Sequence, residues 1–166
     1  MKRLRFALLA VASSLLLGGV CMDNADPVAT VYFQFPDDAI LELNEIVQVQ
    51  VMVQTLGPEL QAIALSVKGD PSTSVLFQTA PNPAFDDDGQ LFVPPQFDFV
   101  AGEVNGIVDL RHGLGNLSGT FAIATLWLRA INDGQSTLRF TGIRLADEKG
   151  QDFAITALDH PFEVIR

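Results

Sequence analysis

Apolar and polar residues alternate along most of this chain with a period of two, and no stretch carries a helical period. The clearest run sets Val47, Val49, Val51 and Val53 against Gln48, Gln50, Met52 and Gln54, the pattern of a strand with one buried and one wet face. A slip of one residue would bury the glutamines, so the pattern also sets register. Thr30 to Phe35 alternates Val31, Phe33 and Phe35 against Tyr32 and Gln34. Gln61 to Lys68 alternates Ile63, Leu65 and Val67 against Ala62, Ala64 and Ser66, and stops at Gly69-Asp70-Pro71, where proline cannot continue a ladder. Val75 to Gln78, Gln96 to Val100, Val104 to Arg111, Asp152 to Thr156 and Phe162 to Ile165 are further short strands. Between Thr79 and Pro95 the composition turns to Pro, Asn, Asp and Gly, which predicts the one long loop.

The stretch from Gly119 to Gly150 predicts a hairpin and a trailing edge. Leu126 and Leu128 alternate with Trp127 and Arg129, and Leu138 and Phe140 with Thr137 and Arg139. Asn132-Asp133-Gly134 between them supplies residues that tolerate positive φ, so the chain can reverse there. Many short strands with turn signals and no βαβ unit predict an all-β fold, an antiparallel β-sandwich with jelly-roll topology and about nine strands.

The first residues read differently. Lys2, Arg3 and Arg5 precede an apolar run from Phe6 to Leu17, with Gly18 and Gly19 before Cys21. This is the layout of an export signal over residues 1–20, too short for a membrane span. Cys21 is the only cysteine, so no disulfide can form within the chain. Its place after the apolar run suits lipid attachment, although Val20 stands where a small residue is usual; an ordinary cleaved signal with an incidental Cys21 is the alternative. Residues 21–27 would form a short tether, roughly 20 Å at full extension, and residues 28–166 one domain with a real core. The protein is thus expected to be exported, as a membrane-anchored lipoprotein or as a secreted or periplasmic protein. Residues 21–166 keep all twenty acidic and seven of the ten basic residues, a formal net charge of −13. Such a surface excludes nucleic acid, whose phosphates need clustered Lys and Arg, and a bare anionic membrane would repel it.

The succession of strands and turns resembles a cohesin domain. The resemblance rests on the opening Ala29-Thr30-Val31-Tyr32-Phe33, the Val/Gln strand, the third strand ending at Asp70-Pro71 before Val75-Leu76, the Gly119-Thr120 strand start, and the turns at Thr141-Gly142 and Asp147 to Gly150. It implies a nine-stranded jelly roll that binds the calcium-loaded dockerin of a partner protein, without catalysis, on the outward side of one sheet. In many cohesins an outward Asn and Asp shortly before Asp-Pro bond the dockerin helix; here Ala62 and Ala64 stand at those places, and neither side chain can hydrogen-bond. By alternation, the expected face consists of Ala64, Ser66, Lys68, Asp98, Ile107, Asp109, Arg111, Thr137 and Arg139, flat and mixed in charge. It suits a helix docked by apolar contact with a charged rim, or else simply meets solvent.

Two other classes stay open. Trp127 falls outward between inward Leu126 and Leu128, which invites stacking on a polysaccharide if Tyr32 is exposed beside it, the other aromatics Phe33, Phe35, Phe97, Phe99 and Phe140 falling inward; coverage by a neighbouring segment is the plainer alternative. A structural envelope lipoprotein is the third reading. Asp86-Asp87-Asp88-Gly89 offers oxygen ligands to calcium but lacks the spacing of a calcium loop, so a solvated acidic turn is favoured and no cofactor is expected. His112 and His160 have no ligand spacing. With no Gly-x-Ser-x-Gly elbow behind His112-Gly113-Leu114-Gly115, and no carboxylates set across a cleft, nothing points to an enzyme.

Overall fold

The Val/Gln run becomes the central strand of one sheet of a two-sheet sandwich, with Val49, Val51 and Val53 wholly inside and the glutamines outside. The computed structural model describes residues 28–36, 39–56, 60–81, 91–110, 119–147 and 149–166. The export signal, the tether and Cys21, the aspartates Asp86, Asp87 and Asp88, and Arg111 and His112 lie outside the described residues.

Among the described residues twelve strands follow in order: β1 (Val28–Gln34), β2 (Ile40–Glu42), β3 (Ile46–Leu56), β4 (Leu60–Lys68), β5 (Ser74–Pro81), β6 (Leu91–Val93), β7 (Gln96–Asp98), β8 (Glu103–Leu110), β9 (Gly119–Ala130), β10 (Gly134–Asp147), β11 (Ala154–Leu158) and β12 (His160–Ile165). One sheet runs β11-β1-β3-β9-β5 and the other β2-β12-β10-β4-β8-β6, with β7 also paired to β8. The antiparallel sandwich is as expected, and the strands added to it are β2 and β6, three residues each and too short to show alternation. Pro94-Pro95 splits β6 from β7 along a single edge of β8, since proline cannot donate to a ladder. The pairing is antiparallel except for β1 with β11 and β2 with β12, which are parallel.

Val31, Phe33, Leu65, Val67, Leu126, Leu128, Leu138 and Leu145 from the two inner faces form one core, the layered solution expected of sheets with one apolar side. The chain reverses between β9 and β10 at Asn132-Asp133-Gly134, with Gly134 at φ 142°. The Asp70-Pro71 turn is closed by Asp70, whose Oδ1 accepts from Ser72 N and Oγ at 2.9 and 2.7 Å. Those bonds hold its carboxyl below the usual aspartate value.

Two bulges shape what the outward face of the seven-stranded sheet displays. On β8, Ile107 pairs with Leu65 and Val104 with Val67, so Asn105 and Gly106 together oppose Ser66. Gly106 sits at φ 74°, the left-handed conformation that glycine enters without Cβ strain and that such a bulge uses. On β10, Phe140 pairs with Val67 and Gly142 with Ser66, leaving Thr141 as the extra residue. β10 therefore continues through the expected Thr141-Gly142 turn to Asp147 as one strand.

Candidate functional site

The outward side of the seven-stranded sheet is built on β4, whose Ala62, Ala64, Ser66 and Lys68 are all partly exposed as their alternation requires. In the row through Ala64, Val93 of β6, Val108 of β8, Ala64 and Arg144 of β10 stand side by side. In the next row, Leu110, Ala62 and Ala146 line up. The floor is apolar and made of small or branched side chains. Val93 and Leu110 keep 42% and 40% of their surface exposed, so the floor is open on their side, while Ala146 at its other end is covered beside Asp152.

Charges rim this floor. Lys68 Nζ reaches Glu103 Oε1 at 3.0 Å, and Arg144 Nε reaches Asp152 Oδ1 at 2.9 Å. Glu103 accepts from Lys68 and more weakly from Asn105, and these bonds hold its carboxyl below the usual glutamate value. Arg139 pairs with Lys68 across the ladder and lies 3.9 Å from Asp159. Where the face ends at the Asp70-Pro71 turn, Lys68, Asp70, Gln135, Thr137, Arg139 and Pro161 border a groove of about 400 Å³.

The expected face is thus brought together in part. Ala64, Ser66, Lys68, Asp98, Thr137 and Arg139 lie on it, Asp98 beside Glu103 in register. Ile107 does not: it is 1% exposed and belongs to the core. The bulge at Asn105-Gly106 inserts one residue, reverses the alternation of β8 and presents Val108 and Leu110 instead. Asp109 pairs with Ile63 in the ladder. Arg144 and Val108 were missed, and the signals for them were a lone glycine within each apolar run, Gly106 and Gly142. Phe99 also departs from the inward expectation, being 56% exposed. Asp98 Oδ1 accepts from Val100 N and Ala101 N at 3.0 Å each, which ends β7 and puts Phe99 in a turn, stacked beside Phe97.

Trp127 lies on the other sheet. On β9 it is half-buried, with Gln48 of β3 on one side and Gln78 of β5 on the other. Tyr32 shares this outward side but stands opposite Met52 on β1. Four residues along β3 and two strand spacings across separate the two aromatics, roughly 16 Å, so they do not form one stacking row. Among the described residues, no group of His, Cys, Asp and Glu gathers as a metal site.

Solved cohesins share this architecture. The cohesin of the OlpA type I cohesin–dockerin complex from Clostridium thermocellum matches with a TM-score of 0.68 at 9% identity, over 83% of this chain and 99% of its own. A non-cellulosomal cohesin from the archaeon Archaeoglobus fulgidus matches at 0.66 with 14% identity, over 84% and 92%. A type II cohesin domain from the cellulosome of Acetivibrio cellulolyticus matches at 0.65 with 13% identity, over 82% and 95%. No protein-family model and no curated protein matches the chain. The domain is a cohesin-like jelly-roll β-sandwich.

Proposed function

We propose that this protein is an exported, non-catalytic recognition module that docks a dockerin-like protein partner on the outward face of its seven-stranded sheet. The observation that carries the reading is the open apolar floor of Ala62, Ala64, Val93, Val108 and Leu110, rimmed by the Lys68–Glu103 and Arg144–Asp152 pairs. An apolar centre with a polar rim is the anatomy of a protein interface. The small alanines leave room for a helix to approach the sheet closely. Docking rests on shape and desolvation, since Ala62 and Ala64 offer no side-chain hydrogen bond. The rim pairs give orientation more than affinity.

Export is supported by Lys2, Arg3 and Arg5 ahead of the apolar run. β1 begins at Val28, beside Leu56 and Ala154, at the end of the sandwich opposite the groove at Lys68 and Arg139. A lipid on Cys21 would therefore hold the Lys68–Arg139 end away from the membrane, with the Ala62–Leu110 end of the floor nearer to it. The reading as a structural envelope lipoprotein leaves the open apolar floor without a role.

The test is calorimetry of the exported chain against a panel of purified dockerins with and without calcium. Calcium-dependent binding that weakens about 100-fold in Ala64→Arg is expected, because a charged side chain would enter the centre of the floor. Binding indifferent to Ala64→Arg, or none across the panel, overturns the proposal.

A further inference from the structure

The outward side of the five-stranded sheet has a different chemistry. β1 presents Thr30, Tyr32 and Gln34, β3 presents Ile46, Gln48, Gln50 and Gln54, β9 presents Thr125, Trp127 and Arg129, and β5 presents Val75, Gln78 and Ala80. Among the described strand residues of this face, Arg129 carries the only formal charge, and it stands at the edge with Nη2 bonded to Asn44. The opposite face carries Lys68, Asp98, Glu103, Arg139, Arg144 and Glu163, so among the described strand residues the charges lie almost wholly on one side.

We infer that Trp127, with Gln48, Gln78, Gln50 and Thr125 around it, forms a binding platform for a neutral polysaccharide. Register sets Gln48, Trp127 and Gln78 in one row and Gln50, Thr125 and Ala80 in the next. The platform spans three strands, about 10 Å across. Each carboxamide offers a donor pair and an acceptor, and so can bond neighbouring sugar hydroxyls, which both donate and accept. The indole supplies a flat apolar surface for the C–H face of a pyranose ring. A neutral ligand fits because carboxamides lose less on desolvation than charged groups do, and because no cation lies within the platform to pair with an acidic sugar.

A protein partner fits this side less well. Interface centres are built from contiguous apolar anchors; here Ile46 and Phe77, 55% and 36% exposed, stand at the border of the platform, while the residues around Trp127 within it are amides and hydroxyls. The inference stands apart from docking, since it uses the opposite sheet and none of the same residues.

The experiment is affinity electrophoresis of the exported chain, with no partner protein, in gels holding hydroxyethyl cellulose, xyloglucan, galactomannan, soluble starch or polygalacturonate. Retardation by at least one neutral polysaccharide and not by polygalacturonate is expected. Trp127→Ala should weaken it about tenfold or more, Gln48→Ala and Gln78→Ala by several-fold, and Trp127→Phe, which keeps a ring, by less than Trp127→Ala. Circular dichroism melts confirm that each variant is folded. Migration unchanged in every neutral gel overturns the inference, as does equal loss in Tyr32→Ala. Concentration-dependent dimers in sedimentation that dissolve in Trp127→Ala would also overturn it, giving the face to a second copy of the chain. Failure here leaves dockerin binding untouched, because the gels contain no partner.

Discussion

Phe33 of β1 and Phe140 of β10 stack across the sandwich with ring centroids 4.1 Å apart and planes 6° from parallel. The pair joins the two sheets immediately before the Thr141 bulge, the parity shift of β10 that brings Arg144 beside Ala64. Phe33→Ala removes a buried ring from this contact and should cost about 3–5 kcal/mol. Against a typical total of about 5–15 kcal/mol that is a large share, read as a lowered urea midpoint with little change in slope. A loss below about 1 kcal/mol would mean the inter-sheet stack is not what ties the layers together.

Much of this architecture could be read from alternation, because a two-sided strand writes its burial directly into the residues. Val49, Leu126 and Leu138 are inside as their neighbours required, and the β9–β10 reversal falls at the Asn-Asp-Gly triplet. Reading failed where one extra residue enters a ladder. At Asn105-Gly106 and at Thr141 the parity changes, so every side chain beyond the bulge moves to the other face; this is why Ile107 is in the core and Val108 on the surface. Pairing between distant strands was also hidden. Nothing local in Ala154–Leu158 says that its partner is β1, or that the two run parallel. The neutral face was visible residue by residue in the glutamines of β3, but its placement around Trp127 needed β5 brought to the other side of β9.

Two glycines with nearly the same backbone angle should respond differently to a methyl group. Gly106 has φ 74° and open space where a Cβ would stand. Gly106→Ala then bears only the left-handed penalty, about 1–2 kcal/mol. Gly102 has φ 70°, and a Cβ there would lie 2.6 Å from the Gly69 carbonyl oxygen and 2.9 Å from Pro71. It would also disturb the bond from Gly69 N to Gly102 O, 2.9 Å long. Gly102→Ala should therefore be the more damaging of the two in thermal melts, by more than about 1 kcal/mol. Equal losses would show that the β4–β5 and β7–β8 turns can separate freely.

The Lys68–Glu103 contact makes a prediction about charge rather than stability. Both side chains reach solvent, 44% and 28% exposed, so the pair adds little to folding. Its imprint is on the Glu103 carboxyl, lowered first by the Lys68 hydrogen bond, then by Asn105 and by the Lys68 charge. Lys68→Ala should let Glu103 titrate closer to the ordinary glutamate value. A carboxyl-detected NMR titration of both proteins reads this shift. An unchanged Glu103 titration would mean the two side chains are apart in solution, and that the rim of the docking face is looser at this corner.

His160 opens β12 opposite Leu138, with its ring stacked on Phe35 at 4.5 Å and 17° from parallel. Its Nε2 is buried and has no hydrogen-bond partner, and burial pushes its pKa below the usual histidine value. The fold therefore favours the neutral imidazole, while the unfolded chain takes up a proton near the ordinary value of about 6.5. Stability from this site is complete above that value and is lost as pH falls through it toward the folded pKa. His160→Phe keeps the ring on Phe35 and removes the unpaired nitrogen, whose burial costs about 1 kcal/mol or more. The variant should melt higher than the wild type at about pH 5, and the gap should narrow at about pH 8. Carboxylates such as Asp70, lowered by its Ser72 bonds, also weaken the fold in acid, but they act equally on both proteins and cancel in the difference. Parallel melting curves across this range would show that the fold accommodates the imidazolium without cost, for instance by turning His160 out of the Phe35 stack.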